Sequence, residues 1–127
     1  MTEQKTAQSA VLIVDDEPDF CELLAEIVRR QGFLPLTALD AEQALRLVRK
    51  QCSKIVLVLA DYTMPGMNGL ELLHKIRNLG SKARLILLSG DSLVADVLPD
   101  RDSRITLLTK PLQFGQLEAI LRSLPGG

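Results

Sequence analysis

Carboxylate, hydroxyl and ammonium side chains follow four of the five apolar runs in this chain of 127 residues. Three carboxylates that lie close together repel one another, so a bound cation is needed to offset the repulsion. Oxygen ligands of this kind suit Mg²⁺, which often also binds a phosphate group. A hydroxyl and an ammonium nearby would then bind the anionic oxygens of that group. The side chains that follow the runs are those of Asp15, Asp16, Asp61, Ser89 and Lys110.

Each of these residues, taken alone, also has an ordinary structural explanation. Asp15 or Asp16 could cap a helix that begins near Pro18, and Asp61 could open a turn. A serine after a strand is usually a cap or turn residue, and a lone lysine is usually a solvated charge. Their joint occurrence is harder to explain in this way, because carboxylates that converge without a cation destabilise the fold. We therefore interpret them as one site.

The apolar runs predict the strands of a parallel sheet that positions these side chains. Three runs are apolar at every position, which is typical of strands covered on both faces. The second run contains Pro35, which favours an edge strand because proline donates no backbone hydrogen bond. Ligands of such sheets bind beyond the carboxyl ends of the strands, where the site residues fall. In chain order, the runs are residues 10–14, 33–39, 55–60, 85–88 and 105–108.

Segments with the apolar spacing of helices separate the runs. Pro18 suits the first turn of one helix. Asp40 with Gln43, and Asn68 with Glu71, have the spacing of a capping box ahead of two others. Strands that alternate with helices predict an α/β fold, with helices on both faces of a single doubly wound parallel sheet.

The length of the chain predicts one domain. We expect this domain to span residues 10–124, between a polar lead-in at residues 1–9 and a tail at residues 125–127. The helical segment near residues 94–98 is the weakest, since it offers only about two turns before Pro99.

Composition and charge exclude several classes of function. Fifteen Lys and Arg residues against sixteen Asp and Glu residues give a net charge of −1, so no strong field attracts nucleic acid or a membrane surface. No apolar stretch approaches the ~20 residues of a membrane span, and the polar start lacks a signal-peptide pattern, which together predict a cytoplasmic protein. Cys21 and Cys52 follow no metal-ligand spacing and are expected to be reduced structural residues.

Structural roles are also expected for the aromatic residues and the single histidine. We expect Phe20, Phe33 and Phe114 to lie in the core. His74 falls among polar residues of a helix, which predicts a solvated surface histidine and not a ligand.

Four motifs resemble the receiver domain of two-component response regulators. They are VDDEP at residues 14–18, ADYTMPGMNG at residues 60–69, LSG at residues 88–90 and TKP at residues 109–111. Each motif is a weak signal, but the four occur in order and at suitable spacing, and the resemblance extends over residues 10–124. It implies a (βα)₅ flavodoxin-like sheet with strand order 2-1-3-4-5, in which the second strand is an edge strand.

The resemblance also implies the function and its main residues. Asp61 is the phosphoacceptor, which attacks a phosphohistidine on a sensor histidine kinase or a histidine phosphotransfer protein. Asp16 and Asp61 bind Mg²⁺ directly, Asp15 binds it through water, and Thr63 binds it through its backbone carbonyl. The protein would thus be a phosphoryl-accepting signalling switch of a two-component system or phosphorelay.

Three further positions complete the site that the resemblance implies. Lys110 pairs with one phosphoryl oxygen, Ser89 donates a hydrogen bond to another, and Pro111 follows a cis peptide bond. The domain positions an in-line nucleophile and neutralises charge, so its chemistry is limited to self-catalysed phosphotransfer and dephosphorylation, and we do not expect a separate enzyme activity.

The chain departs from the family pattern at the position three residues before the lysine. Members usually have Tyr or Phe there, as a switch coupled to the hydroxyl residue, whereas this chain has Leu107. We expect Leu107 to be buried and to move little, so that activation moves residues 91–98 instead. Thr63 and Asp91 are expected to border the site and to influence hydrolysis of the phosphoryl group.

Two alternative functions remain open at this point. A Mg²⁺-dependent phosphatase with an aspartate nucleophile generally needs a second aspartate two residues later, where this chain has Thr63. Such an enzyme also needs a cap or a larger pocket, for which the chain leaves little room. A degenerate receiver that acts only as a binding module is the other alternative, although the full set of site residues disfavours it.

Overall fold

The computed structural model describes residues 8–90 and 105–125. Within these residues the chain forms five strands and four helices. The strands are β1 (Ala10–Val14), β2 (Leu34–Ala38), β3 (Ile55–Asp61), β4 (Arg84–Ser89) and β5 (Ile105–Thr109). The helices are α1 (Pro18–Arg30), α2 (Ala41–Gln51), α3 (Gly69–Asn78) and α4 (Phe114–Arg122).

The five strands form one parallel sheet in the order β2-β1-β3-β4-β5. The predicted α/β class and strand order are therefore confirmed. β2 lies at one edge of the sheet, where Pro35 is tolerated because one side of the strand needs no hydrogen-bonded partner. β3 and β4 extend one residue further at their carboxyl ends than the apolar runs do, which places Asp61 and Ser89 within the strands.

Side chains of β1 alternate between two hydrophobic cores, one on each face of the sheet. Leu12 and Val14 pack with buried residues of α2 and α3. Val11 and Ile13 pack with buried residues of α1 and α4. All five residues of this strand are buried, which explains why the run is apolar at every position.

The predicted helix starts are also confirmed. Pro18 is the first residue of α1. Asp40 caps α2 by accepting a hydrogen bond from Gln43 N at 2.8 Å. Asn68 and Glu71 form a complete capping box at the start of α3. These contacts satisfy backbone N–H groups that have no partner within the helix.

Several expectations about individual side chains were wrong. Phe114 is 43% exposed, because it is the first residue of α4 and precedes the turn that packs on the sheet. Leu107 is half-buried and not fully buried. His74 is half-buried, and its Nδ1 lies 2.7 Å from Arg77 Nη2, so it is not simply solvated. Phe20 packs against the core as predicted, but it is only half-buried.

Some expectations fall outside the described residues. The helical segment near residues 94–98, Asp91 and the predicted movement of residues 91–98 are among them. Cys21 and Cys52 are free cysteines, as expected. None of the helices in residues 8–90 and 105–125 has both the length and the apolar composition of a membrane span.

Candidate functional site

The sheet brings the first and third strand ends together. β1 and β3 are neighbours, and Val14 is paired with Ala60. Asp15 and Asp61 each follow one of these paired residues, so their side chains leave the sheet at the same edge. Both are buried, with exposed fractions of 2% and 6%.

Three carboxylates converge at this edge. Asp15, Asp16 and Asp61 each offer an oxygen, and these oxygens all lie within 4.8 Å of one another. Asp16 is exposed to solvent, whereas the other two are buried. The cluster is therefore open on one side and enclosed on the other.

Lys110, which follows the edge strand β5, adds a positive charge to the three carboxylates. Its Nζ lies 3.2 Å from Asp61 Oδ1 and 3.7 Å from Asp15 Oδ2. Lys110 follows β5, which is two strands away from β3, and the long lysine side chain bridges that distance. The Lys110–Pro111 peptide bond is cis, as the resemblance implied.

Neither Asp15 nor Asp16 caps α1 through its side chain. The N-cap residue of α1 is Glu17, whose side chain forms no capping hydrogen bond. Asp15 Oδ1 accepts a hydrogen bond from Glu17 N at 2.9 Å, just ahead of the helix. This hydrogen bond fixes the orientation of the Asp15 carboxylate and leaves its other oxygen directed into the cluster.

The second oxygen of Asp15 is an unsatisfied buried acceptor. Oδ2 is buried and has no hydrogen-bond partner among the residues that the structure describes. Burial raises the pKa of the Asp15 carboxyl above its ordinary value of 3.8, and the nearby carboxylates of Asp61 and Asp16 raise it further. Hydrogen bonding from Glu17 N and the charge of Lys110 act in the opposite direction. The site is thus short of positive charge.

These residues fit a hard divalent cation. A buried carboxylate oxygen without a hydrogen-bond partner among the described residues, two more carboxylates nearby and an opening to solvent meet the needs of Mg²⁺. Mg²⁺ keeps several of its own waters, and the exposed side of the cluster leaves room for them.

Ser89 lies beside this cluster, at the end of β4. It is 2% exposed, and its backbone carbonyl accepts a hydrogen bond from Lys110 N at 2.9 Å. The lysine is therefore held to the adjacent strand end by its backbone as well as to the carboxylates by its side chain. Thr63 is exposed in the loop that follows β3, two residues after Asp61.

Gly69 supports the site, a role that was not predicted from the sequence. Gly69 N donates a hydrogen bond to Tyr62 O at 2.9 Å, and Tyr62 N donates one to Leu88 O at 2.8 Å. A Cβ atom at Gly69 would overlap the backbone carbonyl oxygen of Asp61 and would lie 2.9 Å from Leu87 Cδ1. The absence of a side chain at Gly69 thus allows α3 to begin directly against the backbone of Asp61. Its place in the ADYTMPGMNG motif was the available signal.

Two residues of α1 also contact the site. Cys21 Sγ donates a hydrogen bond to the backbone carbonyl of Asp15 at 3.3 Å. The Phe20 ring centroid lies 5.4 Å from Lys110 Nζ. Phe20 was predicted to lie in the core and Cys21 to be a reduced structural cysteine, because no local pattern shows that a helix will pass beside a lysine ninety residues later in the chain.

A family model for the response regulator receiver domain matches residues 11–122. The chain belongs to this family. Its members are regulatory phosphoacceptors of two-component systems, and the aspartate cluster of this receiver domain lies at the phosphorylation site. The resemblance drawn from the four motifs is confirmed.

Relatives of this receiver domain include proteins of two sizes. The probable transcriptional regulatory protein TcrX of Mycobacterium tuberculosis is 32% identical over 119 residues, which cover 90% of this chain and 48% of TcrX. Sporulation initiation phosphotransferase F of Bacillus subtilis is 28% identical over 117 residues, which cover 91% of this chain and 93% of that protein. This chain therefore spans about half the length of several curated relatives that it matches, TcrX among them.

Solved structures support the same fold. The response regulator protein TrrA of Thermotoga maritima, in complex with Mg²⁺ and BeF, superposes with a TM-score of 0.78 and 31% identity, covering 91% of this chain and 97% of that one. The receiver domain of the hybrid histidine kinase CckA superposes with a TM-score of 0.76 and 28% identity, covering 90% and 96% of the two chains.

Proposed function

We propose that this receiver domain accepts a phosphoryl group on Asp61. The observation that carries the proposal is the position of the buried Asp61 carboxylate. It lies within the acidic cluster, and its Oδ1 is 3.2 Å from Lys110 Nζ. Burial keeps water away from one side of the carboxylate, and the open side of the cluster admits a phosphodonor. A carboxylate in this setting is a positioned oxygen nucleophile.

The phosphodonor we propose is a phosphohistidine of a sensor histidine kinase or of a histidine phosphotransfer protein. An oxygen of Asp61 forms a bond to phosphorus, the bond from phosphorus to the imidazole nitrogen breaks, and the nitrogen keeps the electron pair. The relatives that support this donor class are a sporulation initiation phosphotransferase and the receiver domain of a hybrid histidine kinase.

Lys110 and Ser89 are proposed to bind the transferred group. The ammonium already contacts Asp61 Oδ1, so a phosphoryl oxygen on that carboxylate comes within its reach. The hydroxyl of Ser89 is on the neighbouring strand end and is proposed to donate a hydrogen bond to a second oxygen.

We propose that Mg²⁺ is the cofactor of this site. Asp16 and Asp61 would bind it directly, Asp15 through a water molecule, and Thr63 through its backbone carbonyl. The chemistry that a bound Mg²⁺ supplies there is neutralisation of the negative charge on the carboxylates and the transferring group. Asp15 Oδ2, which is buried and has no hydrogen-bond partner among the described residues, supports this assignment.

The test is phosphorylation by a small donor. Incubation with acetyl phosphate and Mg²⁺ should raise the intact mass by ~80 Da, once per chain, and the adduct should be removed by hydroxylamine because it is an acyl phosphate. Asp61→Asn should show no adduct. Asp40→Asn is the matched control, since asparagine also caps α2 and Asp40 lies outside the acidic cluster, so this variant should be labelled like the parent. Labelling of Asp61→Asn to the parent's level would refute the assignment.

A further inference from the structure

Lys110 has a third contact besides its two carboxylates. Its Nζ lies over the ring of Phe20, 5.4 Å from the ring centroid. A lysine ammonium within about 6 Å of an aromatic face is attracted by the negative potential of that face. Phe20 is in the first turn of α1, so this contact ties the lysine after β5 to the helix that follows β1.

The ring and the carboxylates act on the ammonium in different ways. The carboxylates of Asp61 and Asp15 form ion pairs with the ammonium, at 3.2 and 3.7 Å from Nζ, and only the shorter of the two is within hydrogen-bond distance. An aromatic face attracts the positive charge without taking up a directed hydrogen bond. Phe20 therefore holds the ammonium in place and leaves its three N–H groups available for anionic oxygens.

Phe20 is better fixed than the lysine that it contacts. It lies in the first turn of α1 and packs against the buried cluster that contains Cys21 and Leu24. Lysine has a flexible four-carbon stem and loses substantial rotamer freedom when it is held in one conformation. The Lys110 side chain is still 33% exposed, so the carboxylates alone leave part of it free to turn toward solvent.

We propose that Phe20 is a positioning residue of this receiver domain, whose ring holds the Lys110 ammonium beside Asp61. The proposal rests on the proposed function of Asp61 and deepens it. When a phosphoryl group occupies Asp61, its oxygens displace the direct contact between the lysine and the carboxylate. The contact with Phe20 does not depend on either carboxylate oxygen, so it keeps the ammonium at the site through that exchange.

The contact is tested first on the unphosphorylated protein by NMR. A proton that lies over an aromatic face is shifted upfield by the ring current, so the Lys110 ε-protons should be upfield in the parent and in Phe20→Tyr. In Phe20→Leu they should move to the position of an ordinary solvated lysine. Equal ε-proton shifts in the parent and in Phe20→Leu would show that the contact does not exist.

The positioning role is tested by the rate of labelling with acetyl phosphate. A cation–π contact at a partly exposed site corresponds to about a two- to five-fold effect, so Phe20→Leu should be labelled about two to five times more slowly than the parent. Phe20→Tyr keeps the ring face and should restore most of the rate. Phe33→Leu is the matched control, since Phe33 is buried in the same cluster but is not the ring that contacts Lys110.

The outcomes separate this proposal from the proposed function. Slow labelling of Phe20→Leu with recovery in Phe20→Tyr and a normal rate in Phe33→Leu supports positioning by the ring. Equal rates in the parent and Phe20→Leu, or equal slowing in Phe20→Leu and Phe33→Leu, would overturn it. If the parent is not labelled at all, the proposed function fails, while the ring-current comparison still decides whether Phe20 holds the lysine.

Discussion

Replacing Gly69 with alanine places a methyl group against the backbone of the proposed phosphoacceptor. The new Cβ would overlap the carbonyl oxygen of Asp61 and would lie 2.8 Å from its carbonyl carbon and 2.9 Å from Leu87 Cδ1. Carbon atoms pack best about 3.5–4.0 Å apart, so the start of α3 must move by about 1 Å. Two of the three obstacles are backbone atoms of a buried strand, which cannot move aside as a flexible side chain can.

We expect Gly69→Ala to lower the free energy of unfolding by about 3 kcal/mol, the upper end of the usual range for overpacking. For a chain of this size this corresponds to a fall in melting temperature of about 10 °C, measured by thermal unfolding followed by circular dichroism. Labelling of Asp61 by acetyl phosphate should slow by at least about ten-fold at a temperature where the variant is folded, because a displacement of about 1 Å can cost up to about 100-fold in rate.

Two other glycines provide the controls for this substitution. Gly115 lies in α4, and no atom lies within 4 Å of the position that an alanine methyl group would take there, so alanine should raise stability slightly, by about 0.5 kcal/mol. Gly80 also has open space, but its φ of +96° is unfavourable for alanine. Gly80→Ala should therefore lower the free energy of unfolding by about 1–2 kcal/mol. The reasoning is refuted if Gly69→Ala melts no lower than Gly80→Ala.

Three further predictions concern charge and thiol reactivity. Mg²⁺ at ten times its dissociation constant should raise the free energy of unfolding by about 1.4 kcal/mol, measured by thermal melts, and an equal shift in Asp16→Asn would contradict the metal assignment. In EDTA, Asp15→Asn should be more stable than the parent at pH 7. Because burial raises the pKa of folded Asp15, the stabilisation from the protonated carboxyl is complete below about pH 3.8 and is lost as the pH rises through the folded-state pKa. The difference in denaturant midpoint between Asp15→Asn and the parent should therefore vanish below about pH 3.8, and a difference that is constant with pH would count against this explanation. Burial raises the pKa of the Cys21 thiol to about 11, so a thiol reagent at pH 8 should label half-buried Cys52 rapidly and Cys21 only on unfolding, and two fast thiols in the folded protein would contradict the structure.

The local pattern of the sequence was enough to predict the strands of a parallel sheet and the helices that alternate with them along the chain. Apolar residues at every position of β1 predicted a strand covered on both faces, and the two hydrophobic cores confirm it. Asp40 and Asn68 predicted the starts of α2 and α3 because capping depends on residues only three positions apart. Such features are decided within a few residues of the chain, so they can be read without the tertiary structure.

The convergence of Asp15, Asp61 and Lys110 was also predictable, because the carboxyl ends of parallel strands meet at one edge. The binding roles of Ser89 and Thr63 stay predictions. Ser89 was predicted to donate a hydrogen bond to a phosphoryl oxygen and Thr63 to bind Mg²⁺ through its backbone carbonyl, and both roles depend on groups that arrive only with the metal and the phosphoryl group.

Contacts between elements that are distant in the sequence were decided by the tertiary structure alone. The closeness of Gly69 to the Asp61 carbonyl depends on how tightly α3 packs on β3, and the placement of Phe20 over Lys110 depends on the position of α1 relative to the end of β5. Phe114 was predicted to be buried but is exposed, because its exposure depends on where the first turn of α4 meets the sheet. The sequence determined the composition of the elements and the chemistry at the strand ends, since both depend on local spacing. The tertiary structure decided which side chains support that chemistry, because ångström-scale distances between packed elements are set by the whole core.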